Sequence, residues 1–163
     1  MKSRRSIPSN WMVKTPMPAP KGKSVIRTIA MPADTNPAGD IFGGWLMWQM
    51  DLAAGSLATR LARGRCATVA VDAMEFISPV FVGDEVSFYA SLKETGRTSL
   101  RISVEAWRRS RDSEDTNKVT SAIFAFVAID NDRKPRPLNL RKSKAAPKRG
   151  NGRAAYGSSS VSQ

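Results

Sequence analysis

The sequence predicts an α+β fold: one curved antiparallel sheet wrapped around a single long helix, in the order β-α-β-β-β-β. Three observations carry that expectation. From Trp45 to Ala62 nearly every residue is apolar or small, the composition of a helix that belongs inside a protein. The segments after it alternate apolar and polar residues with the period of two that marks strands. Turn-length breaks separate those segments, so neighbouring strands run antiparallel.

Ser24–Met31 (SVIRTIAM) carries β-branched residues and opens the fold as a short strand. Asp34, Asn36, Pro37 and Gly39 then supply turn chemistry. The pair Gly43-Gly44 starts a helix over residues 43–62. Gly64 stops it, and Arg60, Arg63 and Arg65 crowd its last turn, where the macrodipole favours cations. At ~1.5 Å per residue this helix is about 30 Å long, a match for the strands that follow. Ala67–Ile77 places Val69, Val71, Ala73 and Glu75 on one face and Ala70, Asp72, Met74 and Phe76 on the other. Pro79 and Val82-Gly83-Asp84 break the chain before a strand over Glu85–Lys93, and Thr95-Gly96 turns it tightly. Thr98–Arg109 alternates cleanly, with Leu100, Ile102, Val104 and Ala106 inward and Arg101, Ser103, Glu105 and Trp107 outward. A polar loop through Asp115 leads to the last strand, Lys118–Asp130.

The 163 residues make one domain, and the net charge of +12 belongs to its tails. Residues 24–138 hold 14 Lys/Arg and 14 Asp/Glu, whereas residues 1–23 and 139–163 each hold six basic residues and no acid. The two tails are rich in Pro, Gly, Ser and Ala and read as disordered appendages on a folded body spanning residues 24–138. A basic arm of this kind can touch nucleic acid or lipid without sequence preference, but the body carries no basic patch, so no specific nucleic-acid partner is expected. Asp51 and Gln49 interrupt the best apolar run, so no membrane span is expected. The N-terminus lacks the apolar core of a secretory signal, and its prolines break the amphipathic helix of a mitochondrial presequence. Cys66 is alone, which excludes an intramolecular disulfide and suits a reducing cytoplasm.

One residue breaks the helix pattern. Asp51 sits amid the apolar run, and an unpartnered carboxylate there costs several kcal/mol, so its presence points to function. The segments MPADTNPAGDIFGGWLMWQMDLAA, VAVDAMEFISPVFVGDEV, GRTSLRISVEAW and FAFVAIDNDRKPRPL resemble the YciA-like acyl-CoA thioesterases, a hotdog-fold family of acyl-CoA hydrolases. The likeness runs in order from Thr28 to Leu138 and includes both the GD-x-x-GG-x-x-x-x-x-MD and the PV-x-VGD motifs. Where some relatives carry a histidine before the paired glycine, this chain has Phe42. The resemblance implies hydrolysis of acyl-CoA thioesters, with the family's acidic catalytic position on Asp51 and its pre-helix acid on Asp40.

The residues support this chemistry in their own right. With no histidine and one cysteine, Ser-His-Asp and Cys-His nucleophile systems are absent, as are the ligands of common zinc sites. No cofactor is called for. Acid–base work near neutral pH then falls to a carboxylate in an apolar setting, and Asp51 is in that position. Gly43 and Gly44 at a helix N-terminus offer free N–H groups and a favourable dipole for an oxyanion. They also suit plain close packing, and Asp40 suits a plain helix N-cap. Asp51 lies about 10 Å beyond Gly44 along the axis. One chain therefore cannot bring both to one thioester, whereas two antiparallel helices across a two-fold axis can. A homodimer with composite sites follows, and family likeness extends it to a trimer of dimers.

For the substrate, Asn36 and Gln49 flank the site, with Gln49 a candidate to orient water. Thr68 is a candidate to position Asp51 or water. Phe76 joins Met47, Trp48 and Met50 as an acyl-chain lining, the methionines giving an adaptable wall. Arg97 and Ser99 after the tight turn, with Arg133, Lys134 and Arg136 beyond the last strand, are candidates for the pantetheine and phosphate end of coenzyme A. A second reading is a non-catalytic acyl-CoA-binding or regulatory protein whose basic tails contact nucleic acid or membrane. Asp51 separates the two, since a pure binder has no use for an acid beside the thioester.

Overall fold

The computed structural model describes residues 19–139. Both basic tails lie largely outside them. Strand β1 (Ile26–Ile29) is followed by a single 3-10 turn (Pro32–Asp34), helix α1 (Gly43–Ala62), and strands β2 (Cys66–Phe76), β3 (Glu85–Thr95), β4 (Ser99–Arg109) and β5 (Thr116–Ala128). The strands form one antiparallel sheet in the order β1-β3-β4-β5-β2, folded around α1 in the hotdog arrangement expected from the sequence.

The core is the seam between helix and sheet. Leu46, Met50, Ala53, Ala54, Ala58 and Ala62 repeat at helical spacing and bury one face of α1. Their small side chains let the helix settle closely onto Leu100, Ile102, Val104 and Ala106 of β4, all fully buried as the alternation requires. Phe88 and Phe124 fill the space beside them, and Trp45 meets Phe88 edge-on at 6.4 Å. Fully burying a side chain of this size stabilises the fold by ~1.5–3 kcal/mol.

Four features depart from the sequence reading. Only one face of α1 is buried: Trp48 is 57% exposed and Met47 and Leu52 are also open, because the sheet of one chain covers only one side of the helix. Strand β2 does not keep a simple alternation. Bulges between Thr68 and Ala70 and between Asp72 and Glu75 break the register, and Ala73 takes a left-handed φ of 49°. As the sheet's edge, β2 leaves Val69, Val71 and Phe76 open. The helix stops at Arg63, which adopts the left-handed cap at φ 51°, one residue before the expected Gly64. Trp107 does point to the outer face, yet it is 4% exposed, with its Nε1–H donating to Glu105 Oε2 at 3.0 Å.

Glu105 gives that outer face a pH dependence. Burial pushes its carboxyl up, but Lys118 Nζ at 2.7 Å and Trp107 Nε1 outweigh burial and hold it below the usual carboxylate range. A depressed folded-state pKa contributes stability above the unfolded value and loses it as pH falls through the folded one. Acid melting curves of the Glu105→Gln variant are therefore expected to be flatter than wild type through that range, and to lie below it at neutral pH.

Candidate active site

The site begins in the turn before α1. Asn36 Oδ1 accepts the N–H groups of Ala38 at 2.9 Å and Asp40 at 3.1 Å, and Asn36 N–H donates to the Asp40 carbonyl at 2.7 Å. Gly39 completes the turn at φ 91°, a conformation that favours glycine. The N-cap is Phe42 and it makes no side-chain cap, so Asp40 does not cap the helix; its side chain is exposed. Phe42 N–H donates to the Asp34 carbonyl and Ile41 N–H to the Val80 carbonyl. Among the described residues, the next two N–H groups, of Gly43 and Gly44, have no acceptor. A Cβ on Gly44 would lie 2.5 Å from the Phe42 ring, and one on Gly43 would lie 3.4 Å from the Phe76 ring. These glycines thus allow two aromatic rings to close over the helix start while leaving its donors free.

Asp51 lies two turns further on, half-exposed on the uncovered face of α1. Its Oδ1 accepts the Thr68 hydroxyl at 2.8 Å, tying the middle of the helix to strand β2. It forms no ion pair among the described residues. Asp51, Gly55, Ser56, Thr59, Arg60 and Cys66 line an open groove of about 640 Å³ with Thr68 in its wall. Gly55, Ser56 and Thr59 were not singled out from the sequence, and Arg60 and Cys66 were read there only as a helix-end cation and a lone thiol. The stripe Asp51-Gly55-Thr59, at intervals of four, was the available signal. Burial pushes the Cys66 thiol up against the opposing charge of Arg136, so it stays protonated at neutral pH. Gln49 is half-buried on α1 beside the exposed Trp48.

The remaining candidates lie at the other end of the helix. Leu138 N–H donates to the Arg97 carbonyl, Ile129 N–H to that of Arg65, and Ala128 N–H to that of Thr98. A tight turn closed by Asp130 Oδ1 presents Arg133 and Lys134. Arg60, Arg63, Arg65, Arg97, Arg133 and Lys134 therefore gather where α1 ends, and none pairs with a carboxylate among the described residues. Ser99 starts β4 next to Arg97, its carbonyl accepting the Gly96 N–H.

Arg136, a candidate for the phosphate end, serves in the structure as a helix clamp. Its Nη2 donates to the Ala62 carbonyl at 2.9 Å and its Nε to the Ile129 carbonyl at 3.2 Å, satisfying a free acceptor at the negative end of the dipole. The Arg136→Ala variant is expected to lose about 1–2 kcal/mol, read as a drop in Tm of about 5 °C or more.

Among the described residues no group of three or more His, Cys, Asp and Glu is placed to hold a metal ion. No helix of the described chain is long and apolar enough to cross a membrane.

One antiparallel sheet wrapped around a single long helix is the hotdog fold, and residues 38–114 match the thioesterase superfamily. Among solved structures, a hexameric broad specificity acyl-coenzyme A thioesterase superposes with a TM-score of 0.71 at 45% identity, covering 76% of this chain and 91% of that one. That enzyme has been crystallised in a form with one aspartate replaced by alanine. The hexameric thioesterase of Yersinia pestis matches with a TM-score of 0.69 at 50% identity, over 73% of this chain and 97% of its own. The acyl-CoA thioester hydrolase YciA of Salmonella typhimurium is 52% identical over 125 residues, covering 75% of this chain and 94% of its own length. The chain belongs to the YciA-like acyl-CoA thioester hydrolases.

Proposed function

We propose that this protein hydrolyses acyl-CoA thioesters to free coenzyme A and a carboxylic acid, in sites shared between two copies of the chain. The observation that carries the reading is Asp51, held by Thr68 on an uncovered apolar helix face, together with two unclaimed N–H groups at the helix start. Asp51 takes a proton from water as the water oxygen adds to the thioester carbonyl carbon. The resulting oxyanion lies against Gly44 N–H, with Gly43 beside it. The tetrahedral intermediate collapses, the C–S bond breaks, and the departing sulfur takes the proton back from Asp51. Asp51 can instead add to the carbonyl carbon itself, and the C–S bond then breaks to expel the coenzyme A thiolate, which takes a proton from solvent; the acyl-aspartyl anhydride left behind is opened by water to the free acid and Asp51. Incorporation of heavy oxygen from water into the protein during one turnover separates the two routes.

The glycine turn that serves Asp51 comes from the partner copy, because the chain's own lies about 10 Å away along the axis. The exposed Trp48, Leu52, Val69 and Val71 give the second copy an apolar surface to cover. Similar enzymes that are hexameric favour a trimer of such dimers. The carboxylate of Asp40 faces solvent beside the glycine turn, where it can hold water, and Gln49 serves the same end. Phe76, stacked over Gly43, lines the acyl side. Arg97, Ser99, Arg133 and Lys134 form the opposite, cationic end for the phosphates of coenzyme A. The half-buried, unpaired Cys66 suits a reducing cytoplasm.

Thiol release from a panel of acyl-CoAs tests the reaction, and no release from any chain length would refute it. The charge-neutral folded body needs neither tail for this chemistry. Removing residues 1–23 and 139–163 is accordingly expected to leave turnover intact, and a large loss of turnover would count against their role as appendages.

A further inference from the structure

The Pro79–Asp84 segment (PVFVGD) is a motif that the chemistry above leaves unused. Asp84, which closes it, is 4% exposed, a depth at which carboxylates are found only with partners. Its Oδ2 accepts Phe81 N–H at 3.0 Å and Arg108 Nη1 at 3.0 Å. Arg108 also lies over the Phe81 ring at 5.1 Å, and its buried Nε has no acceptor among the described residues. A well-packed apolar pair in this place would often be as stable or more so. Stability alone therefore gives no reason for the acid.

Two hydrogen-bonded routes lead from this turn to the start of α1. In the first, the Val80 carbonyl accepts Ile41 N–H at 3.4 Å, with both residues buried. In the second, Gly83 N–H donates to the Ala30 carbonyl at 2.8 Å and Ala30 N–H to the Asp84 carbonyl at 3.0 Å. The adjoining Met31–Asp34 turn is closed by Met31 N–H on Asp34 Oδ2 at 2.9 Å, and the Asp34 carbonyl accepts Phe42 N–H at 2.9 Å. The N–H groups of Ile41 and Phe42, immediately before Gly43 and Gly44, thus both rest on backbone that the 79–84 turn supports.

We infer that Asp84 is a positioning residue for the hydrolytic reaction: through Phe81 N–H its carboxylate fixes the turn that sets the direction of the Gly43 and Gly44 N–H groups. The inference rests on the proposed function, in which those two groups receive the oxyanion. Direction matters there because a hydrogen bond weakens steeply as its angle closes toward ~120°, and fixed donors stabilise charge as it develops.

Two conservative variants separate this role from a contribution to stability alone. Asp84→Asn keeps an oxygen for Phe81 N–H and gives up the charge pair with Arg108. Asp84→Glu keeps the charge pair, but its longer arm cannot make the same three-residue return to Phe81 N–H. Activity is expected to follow the Phe81 bond. Asp84→Glu then loses about ten-fold in kcat with KM unchanged, less than the roughly 10²–10³ that removing an oxyanion donor outright costs, because the donors are misdirected rather than lost. Asp84→Asn stays near wild-type kcat although its Tm falls. The reverse order, or equal kcat in both folded variants, overturns the inference. Amide exchange of residues 41–44 supplies a readout independent of substrate, expected to be faster in Asp84→Glu than in Asp84→Asn. If wild type releases no thiol from any acyl-CoA, the proposed reaction fails. The exchange comparison then still decides whether Asp84 holds the turn.

Discussion

Asp51→Ala is expected to lower thiol release from acyl-CoA by at least ~100-fold while the protein folds and assembles as before, the scale of losing a general base. The folding expectation comes from the structure. Asp51 is half-exposed, has no ion-pair partner among the described residues, and shares a single hydrogen bond, with Thr68. Its removal leaves no buried charge behind, and the helix interior accepts alanine readily. Matching the melting curve and oligomeric state of the variant to wild type, then comparing initial rates across acyl chain lengths, makes the measurement. Equal rates in the two proteins would end the assignment of Asp51 as base or nucleophile.

Mixing two inactive variants is expected to restore activity. Asp51→Ala removes the acid, and Gly44→Val drives a side chain into the Phe42 ring, where even a Cβ would approach to 2.5 Å. In a dimer built from one copy of each, one site combines both lesions and the other combines an intact Asp51 with an intact glycine turn. Random reassortment makes half of all dimers mixed, so about a quarter of wild-type activity should return if each site spans a two-fold axis. Sites contained within one chain would restore none. Because either variant alone is silent, any recovered rate reports directly on shared architecture.

Much of this was legible in the residues, and the failures have physical causes. The helix bounds of 43 and 62 were clear because a glycine pair opens the apolar run and the arginines close it. Leu100, Ile102, Val104 and Ala106 were legible because β4 sits mid-sheet with one face on the core. Strand β2 was misjudged because an edge strand has no second neighbour to hold its register, and bulges there are invisible to an alternation count. Asp51 stood out as the one acid in an apolar run. Its bond to Thr68 was a guess from position, since the pairing depends on how the helix crosses the strand. The clamp that Arg136 makes was not legible because sequence cannot distinguish a cation facing solvent from one folded back onto carbonyl groups 7 and 74 positions earlier. Asp84 was read only as punctuation, since its partner Arg108 becomes a neighbour only when β3 and β4 pair, and its bond to Phe81 N–H depends on how the turn between those two residues folds.

The left-handed kink at Ala73 bears on how far such molecules can associate. Strand-to-strand addition requires a flat, regularly spaced row of free backbone groups. On this sheet one border offers only the four residues of β1, and the other is interrupted partway along. Borders so short on one side and bent on the other are poor templates for continued strand addition, which guards the sheet against growth into fibres.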